Sequence, residues 1–160
     1  MAIIKRKNEE AGENHLTWPR RMLFDKIGAR NFILEPDAFG NFVITGYDYA
    51  PGRDWARLGL LFLHDGMIDG ERLWPEGWST YVSTPSPANK GYGGQVWLNS
   101  TGRLPDVPTD AYYFNGYLGQ RTVIIPSRDM VIVRLGFANE GDFDSYLNQV
   151  IARILAAVKP

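Results

Sequence analysis

Residues 143–158 carry Phe143, Tyr146, Leu147, Val150, Ile151, Ile154, Leu155 and Val158 at i, i+3, i+4, i+7 spacing. That period predicts an amphipathic helix with one buried stripe. Ser145, Asn148, Gln149 and Arg153 fall on the opposite, wet face. Asp142 or Asp144 suits the helix start, where a carboxylate accepts from free backbone N–H groups. Upstream, two aliphatic runs at 120–125 and 130–135 flank the turn Pro126-Ser127-Arg128-Asp129 and predict a β-hairpin. Both runs are too apolar to be wet on two faces, so the helix is expected to cover one of them.

The same reading predicts three earlier helices. Trp18, Met22, Leu23 and Ile27 share a face over 18–27, with Pro19 in the first turn and Gly28 as the stop. Trp55, Leu58, Gly59, Phe62 and Leu63 do so over 52–65, with Leu60 and Leu61 adding apolar area and Gly66 ending the run. Pro75 opens a short helix over 75–83, and Pro85 prevents its continuation. Extended pieces are expected at 32–34, 42–45, 92–98 and 112–114, and a polar loop at 99–110. The fold class is α+β: an antiparallel sheet packed by the C-terminal helix and by the helices near 18–27, 52–65 and 75–83. Trp55, Phe62, Val123, Ile132, Val150 and Ile154 are expected to share the core. Residues 1–15 read as a polar, mobile lead-in, with a short docking helix and AIIK folding back as a substitute strand as the alternatives. Residues 16–160 read as one domain.

Composition narrows the function classes. The 160 residues are 44% hydrophobic and 22% charged, with a formal charge of −1, so no basic excess points to nucleic acid. Cysteine is absent, which excludes disulfide and thiolate chemistry. The N-terminal run lacks the apolar core of an export signal, and LGLLFLHDG is too short to span a membrane, so a cytoplasmic protein with no membrane partner is expected. His15 and His64 have no carboxylate cluster at metal spacing, and GYGGQ at 91–95 leads into an extended run and not a helix. No cofactor or metal is expected. Arg20, Arg21, Lys26 and Arg30 read as a solvated helix face.

Four motifs stand in order: YAPGRDWAR (49–57), GERLWPEGW (70–78), GYLGQ (116–120) and a strand pair joined by Pro-x-x-Asp (123–135). Together they resemble the C-terminal part of the serine β-lactamase and penicillin-binding-protein-like hydrolases, a family that includes class C β-lactamases, esterases and 6-aminohexanoate-dimer hydrolases. The resemblance implies an antiparallel sheet flanked by a C-terminal helix, hence a partial β-lactamase-like fold. It also implies a nucleophilic serine with lysine three residues on, so that the ammonium lies beside the hydroxyl. Three positions after the six serines stand Val82, Ser86, Asn89, Arg103, Met130 and Asn148; none is lysine. YFN (113–115) and YLN (146–148) match the letters of the family's second element, but not its place. Tyr117-Leu118-Gly119 stands where the family carries Lys-Thr-Gly or His-x-Gly.

The expectation is therefore a truncated, non-catalytic hydrolase-like domain acting as a binding or assembly module, with no catalytic residue. The alternatives are an esterase- or amidase-like enzyme with a rebuilt site, and one half of a split serine hydrolase. Tyr47, Tyr112, Tyr117, Gly119 and Gln120 are the candidate lining for a small amide or ester ligand. The run MVIVRL, from Met130 to its end at Leu135, is apolar, β-branched and free of proline, so it is expected to seek a homodimer or another protein partner.

Overall fold

The computed structural model describes residues 2–43, 46–138 and 141–158. The chain divides into two units, Met1–Leu58 and Gly59–Pro160.

The first unit begins with helix α1, Ala2–Glu10. Of the readings of residues 1–15, the short helix is the one present over Ala2–Glu10, in place of the mobile lead-in and of the AIIK strand. The helix is polar nearly all round and is laced by Lys5–Glu9 (4.0 Å), Arg6–Glu10 (3.6 Å) and Lys7–Glu10 (2.8 Å). Pairs at this spacing stabilise a helix without an apolar stripe. Asn8 and His15 are both buried, with Asn8 Nδ2 3.1 Å from His15 Nδ1. The predicted 18–27 helix contains a five-residue π-helical turn, Arg20–Phe24. Its end is closed by the bond from Ala29 N to Phe24 O (2.8 Å), with Gly28 at φ +67. That left-handed conformation is why glycine ends it. Phe24 stacks on Phe32 at 4.3 Å, and Phe32 meets Trp55 edge-on at 4.8 Å. Strands β1 (Ile33–Leu34) and β2 (Asp48–Tyr49) pair antiparallel. Phe42 makes a single bridge to Pro36, and the rest of the expected 42–45 piece, Ile44 and Thr45, lies outside the described residues.

Helix α2, Gly52–Leu63, contains the division between the units. It ends with Gly66 N donating to Leu61 O (2.7 Å) and Asp65 N to Phe62 O (3.3 Å), with Asp65 at φ +48. Strands β3 (Met67–Ile68) and β4 (Glu71–Arg72) form a hairpin about Asp69 and Gly70, both at positive φ. Helix α3 covers only Trp78–Val82 of the expected 75–83, because Gly77 at φ +81 delays its start.

The main sheet has the order β5-β6-β7-β8, all antiparallel: Trp97–Leu98, Tyr112–Asn115, Arg121–Ile125 and Met130–Arg134. The expected strand at 92–98 shrinks to β5 and one bridge from Tyr92 to Trp97. Gly93 and Gly94 turn tightly against the end of α3 instead. A Cβ on Gly93 would lie 2.1 Å from Val82 O, and Gly94 N donates to that oxygen at 2.7 Å.

All five β7 residues are buried, as the central position requires. One face of the sheet, with Tyr113, Val123 and Ile125, packs with Leu147, Ile151 and Leu155 of helix α4 (Phe143–Ala157) and with Leu104 and Val107 of the 99–110 loop. The other face, with Leu98, Tyr112 and Ile124, packs with Val82 and Val96 and against Phe62, Leu63 and Val131. Of the expected core set, Val123 is fully buried. Phe62, Ile132, Val150 and Ile154 are half-buried, and Trp55 belongs to the aromatic cluster of the first unit. The buried line of α4 runs through Leu147, Asn148, Ile151 and Leu155, while Tyr146 is exposed. Asn148, expected on the wet face, is buried because the loop reaches it: Asp106 N donates to Asn148 Oδ1 (2.9 Å) and Asn148 Nδ2 to Asp106 Oδ2 (2.7 Å). Asp142 is the residue that caps α4, accepting from Ser145 N at 3.2 Å.

Candidate functional site

Each of the four sequence motifs is used to hold backbone in place. In RDWAR, the buried Asp54 carboxylate accepts from Asn31 N (2.8 Å) and Asn31 Nδ2 (3.2 Å). Arg57 donates to Ile27 O at 3.3 Å. Its guanidinium fills the space a side chain would need at Gly28. Ahead of GERLWPEGW, Asp65 accepts from Ser79 N (2.9 Å) and Gly77 N (2.7 Å) and so caps α3 from a distance in sequence. Those bonds hold its carboxyl below the usual carboxylate range. Arg72 of the motif donates to Asp65 O at 2.7 Å. Trp74 lies edge-on to Phe62 at 4.9 Å and occupies the space where Gly66 would carry a Cβ.

The GYLGQ turn is built the same way. Leu118 is left-handed at φ +53 and Gly119 follows at φ +86. A Cβ on Gly119 would meet Ala138 at 2.7 Å and Phe143 at 3.0 Å. Gln120 grips Gly136 at both ends of its amide: Nε2 donates to Gly136 O (2.9 Å), and Gly136 N donates to Oε1 (2.8 Å). In the hairpin turn, Asp110 accepts from Ser127 N (2.7 Å) and Ser127 Oγ (2.9 Å). Arg128 donates to Leu155 O (3.0 Å) and Val158 O (3.1 Å), closing the C-terminal end of α4.

The candidate ligand residues are therefore placed unequally. Tyr47 lies in the first unit, exposed and at φ +64. Tyr112 is 2% exposed and donates its hydroxyl to Phe62 O at 3.1 Å. Burial pushes its ionisation far above the ordinary tyrosine range, so it is no base at neutral pH. Tyr117, Gly119 and Gln120 share one turn. Gly119 is buried, Gln120 is occupied with Gly136, and Tyr117 is 85% exposed.

Five of the six serine hydroxyls have structural partners, while the buried Ser79 Oγ has no hydrogen bond among the described residues. Ser83 donates to Ser79 O, Ser86 to Asn89 O, Ser100 to Lys90 O and Ser127 to Asp110. Ser145 accepts from Gln149, and Ser79 is buried at the start of α3. Of the two tripeptides, Tyr113 is buried in the core, while Tyr146 is exposed on α4. Neither stands beside a serine hydroxyl in the bonds just described.

Two buried polar residues had no sequence signal. Asn99, fully buried, donates from Nδ2 to Leu104 O (3.0 Å), Val107 O (2.9 Å) and Pro108 O (3.2 Å), and its Oδ1 accepts from Leu104 N (2.8 Å). Arg121, 9% exposed, donates to Gln120 O (2.9 Å) and Gly116 O (3.2 Å), and its guanidinium lies 4.9 Å from the Phe143 ring. Burial lowers its pKa from the ordinary arginine value. Its cross-strand neighbour Arg134 packs on the same ring at 5.2 Å. An arginine reads as surface in a sequence; only the pairing shows it lying under α4.

The sequence matches no protein-family model and no curated protein sequence. Its structure is similar to solved hydrolase folds. A protein described as a 6-aminohexanoate-dimer hydrolase from Bacillus anthracis superposes with a TM-score of 0.68 at 21% identity, over 89% of this chain and 39% of that one. A β-lactamase from Mycobacterium bovis does so at 0.68 and 14% identity, over 94% of this chain and 58% of that one. A protein described as a β-lactamase from Bacteroides dorei gives 0.61 and 12%, over 92% and 53%. The chain thus has a β-lactamase-like α+β fold and spans between 39% and 58% of the length of these neighbours.

Proposed function

We propose that this chain is a non-catalytic β-lactamase-like domain serving as a binding or assembly module. The observation that supports this is the state of its serines. None has lysine three residues later, and the hydroxyl best placed on a turn, Ser127, is bonded to the Asp110 carboxylate. A carboxylate there can accept the proton but has no histidine or lysine to relay it. Incubation with a fluorophosphonate and with a penicillin, followed by intact-mass measurement, is expected to show no adduct. Stoichiometric acylation of any serine would overturn the reading in favour of a rebuilt esterase- or amidase-like site.

The coverage of the neighbours favours one second reading, a half of a split hydrolase whose partner carries Ser-x-x-Lys. Activity appearing only on mixing with such a partner would establish it. A small amide or ester ligand, if bound by the second unit, meets Tyr117, the open ring of the candidate set there.

A further inference from the structure

We propose that strand β8 pairs antiparallel with β8 of a second copy of this chain, about a two-fold axis through Ile132. The inference rests on the module reading above and names its partner. Strand β8 is terminal in the order β5-β6-β7-β8, so one of its long edges has no strand beside it. Among the described residues, no backbone hydrogen bond outside the sheet joins that edge. Such edges are normally blocked by proline, a bulge or a charge projecting over them. The run MVIVRL has no proline, and its register with β7 is continuous from Met130 to Arg134. Its one charge, Arg134, is drawn back into the protein. Its guanidinium donates to Gly119 O (3.0 Å), Gly136 O and Phe137 O (3.1 Å), and packs on Phe143. The edge is apolar and its guard is occupied.

The geometry of antiparallel pairing selects the register. Residues facing each other either both turn their N–H and C=O toward the partner strand or both turn them away, and the two kinds alternate along a strand. A two-fold between identical strands therefore passes through a residue, never between two. Centred on Val131, the pair opposes Val133 with the partner's Asp129, whose φ of +44 lies outside the strand. Centred on Val133, it opposes Met130 with the partner's Gly136, whose φ of +142 has already left the strand. Centred on Ile132, it opposes Ile132 with itself, Val131 with Val133 and Met130 with the stem of Arg134, and no like charges face. The formal charge of −1 leaves almost no net repulsion between copies.

Absence of cysteine makes the test clean. The wild-type chain is expected to have about twice its 18.1 kDa mass by light scattering, in a concentration-dependent equilibrium. Ile132→Cys is expected to cross-link to itself about tenfold faster than Val131→Cys or Val133→Cys alone, since directly opposed Cβ atoms lie nearer than diagonal ones. Mixed Val131→Cys and Val133→Cys chains are expected to join as a heterodimer. Fastest self-linking at position 131 or 133 would overturn the register. A wild-type monomer at every concentration would overturn the second copy as partner, leaving the acylation experiment to judge the module reading separately.

Discussion

Asn99→Ala is the substitution for which the structure gives the sharpest magnitude. The amide group of Asn99 carries two hydrogens, which serve three carbonyls at 2.9–3.2 Å, while Oδ1 takes Leu104 N at 2.8 Å. Truncation leaves a buried N–H and three carbonyls without this partner. At about 1 kcal/mol net per bond, and three to four bonds, the loss is about 3–4 kcal/mol. That is a large share of the roughly 5–15 kcal/mol holding a domain of this size. The loop it organises supplies Leu104 and Val107 to the core under α4, so the damage reaches the sheet. Thermal unfolding should shift down by about 6–16 °C, at 2–4 °C per kcal/mol for this chain length. Asn99→Asp is the control. It keeps an acceptor for Leu104 N but sets an ionised oxygen among three carbonyls, so it ranks below Ala at neutral pH. Its folded-state pKa is raised, so its penalty is present above the unfolded value of about 3.9 and eases as pH falls. A loss below about 1 kcal/mol for Asn99→Ala, measured by urea titration, would refute the assignment of this loop to a single buried amide.

Two further outcomes are expected. Ile151→Ala, at a fully buried position under the sheet, should cost about 2–5 kcal/mol, and Ile154→Ala clearly less because Ile154 is half-buried; equal midpoint shifts in urea would show the helix is rotated from its described setting. Burial, and secondarily Lys5, lowers the pKa of His15 from the ordinary histidine value, against an opposing pull from Glu9. The unfolded chain takes up the proton first, so stability should fall as pH drops below about 6.5, by at most ~1.4 kcal/mol per unit, and His15→Gln should flatten that slope; identical slopes between pH 5 and 7 would sink the idea.

The hairpin and the C-terminal helix were legible because each has a strong, uninterrupted signal: two aliphatic runs about one turn, buried throughout in β7 and half-buried throughout in β8, and the 143–158 stripe. What the period could not fix was rotation by one position. Leu147, Ile151 and Leu155 form the buried line while Val150 and Ile154 lie at its margin, since the 99–110 loop packs along one side and claims Asn148. Helix α1 was legible only as an alternative because it has no apolar stripe, and its support is charge pairing and the buried contact between Asn8 and His15. The glycines at 93 and 94 misled for a related reason. Strand propensity in GYGGQVWLN says nothing of α3, whose terminal carbonyl is what draws the chain into a turn. Of the candidate residues, Tyr117, Gly119 and Gln120 share one turn, but burial of Tyr112 follows from its neighbours on β5 and β7, not from its own surroundings in sequence.

The four motifs that carry the resemblance show how a fold can be held by residues that take no part in chemistry. Asp54, Arg57, Asp65, Gly119 and Gln120 each spend their polar groups or their missing Cβ on backbone elsewhere in the same unit. Selection for folding alone is enough to keep residues used this way, because losing a buried partner costs whole kcal/mol whatever the protein does. Motif presence is thus evidence about architecture, and function has to be sought in groups that the architecture leaves unspent. In the second unit two such features stand out: the ring of Tyr117 and the free edge of β8. The ring is adaptable and specifies little. The edge is a row of directional donors and acceptors at fixed spacing, which only another extended strand can satisfy. The proposed pairing through β8 uses these groups, and the ring of Tyr117 does not.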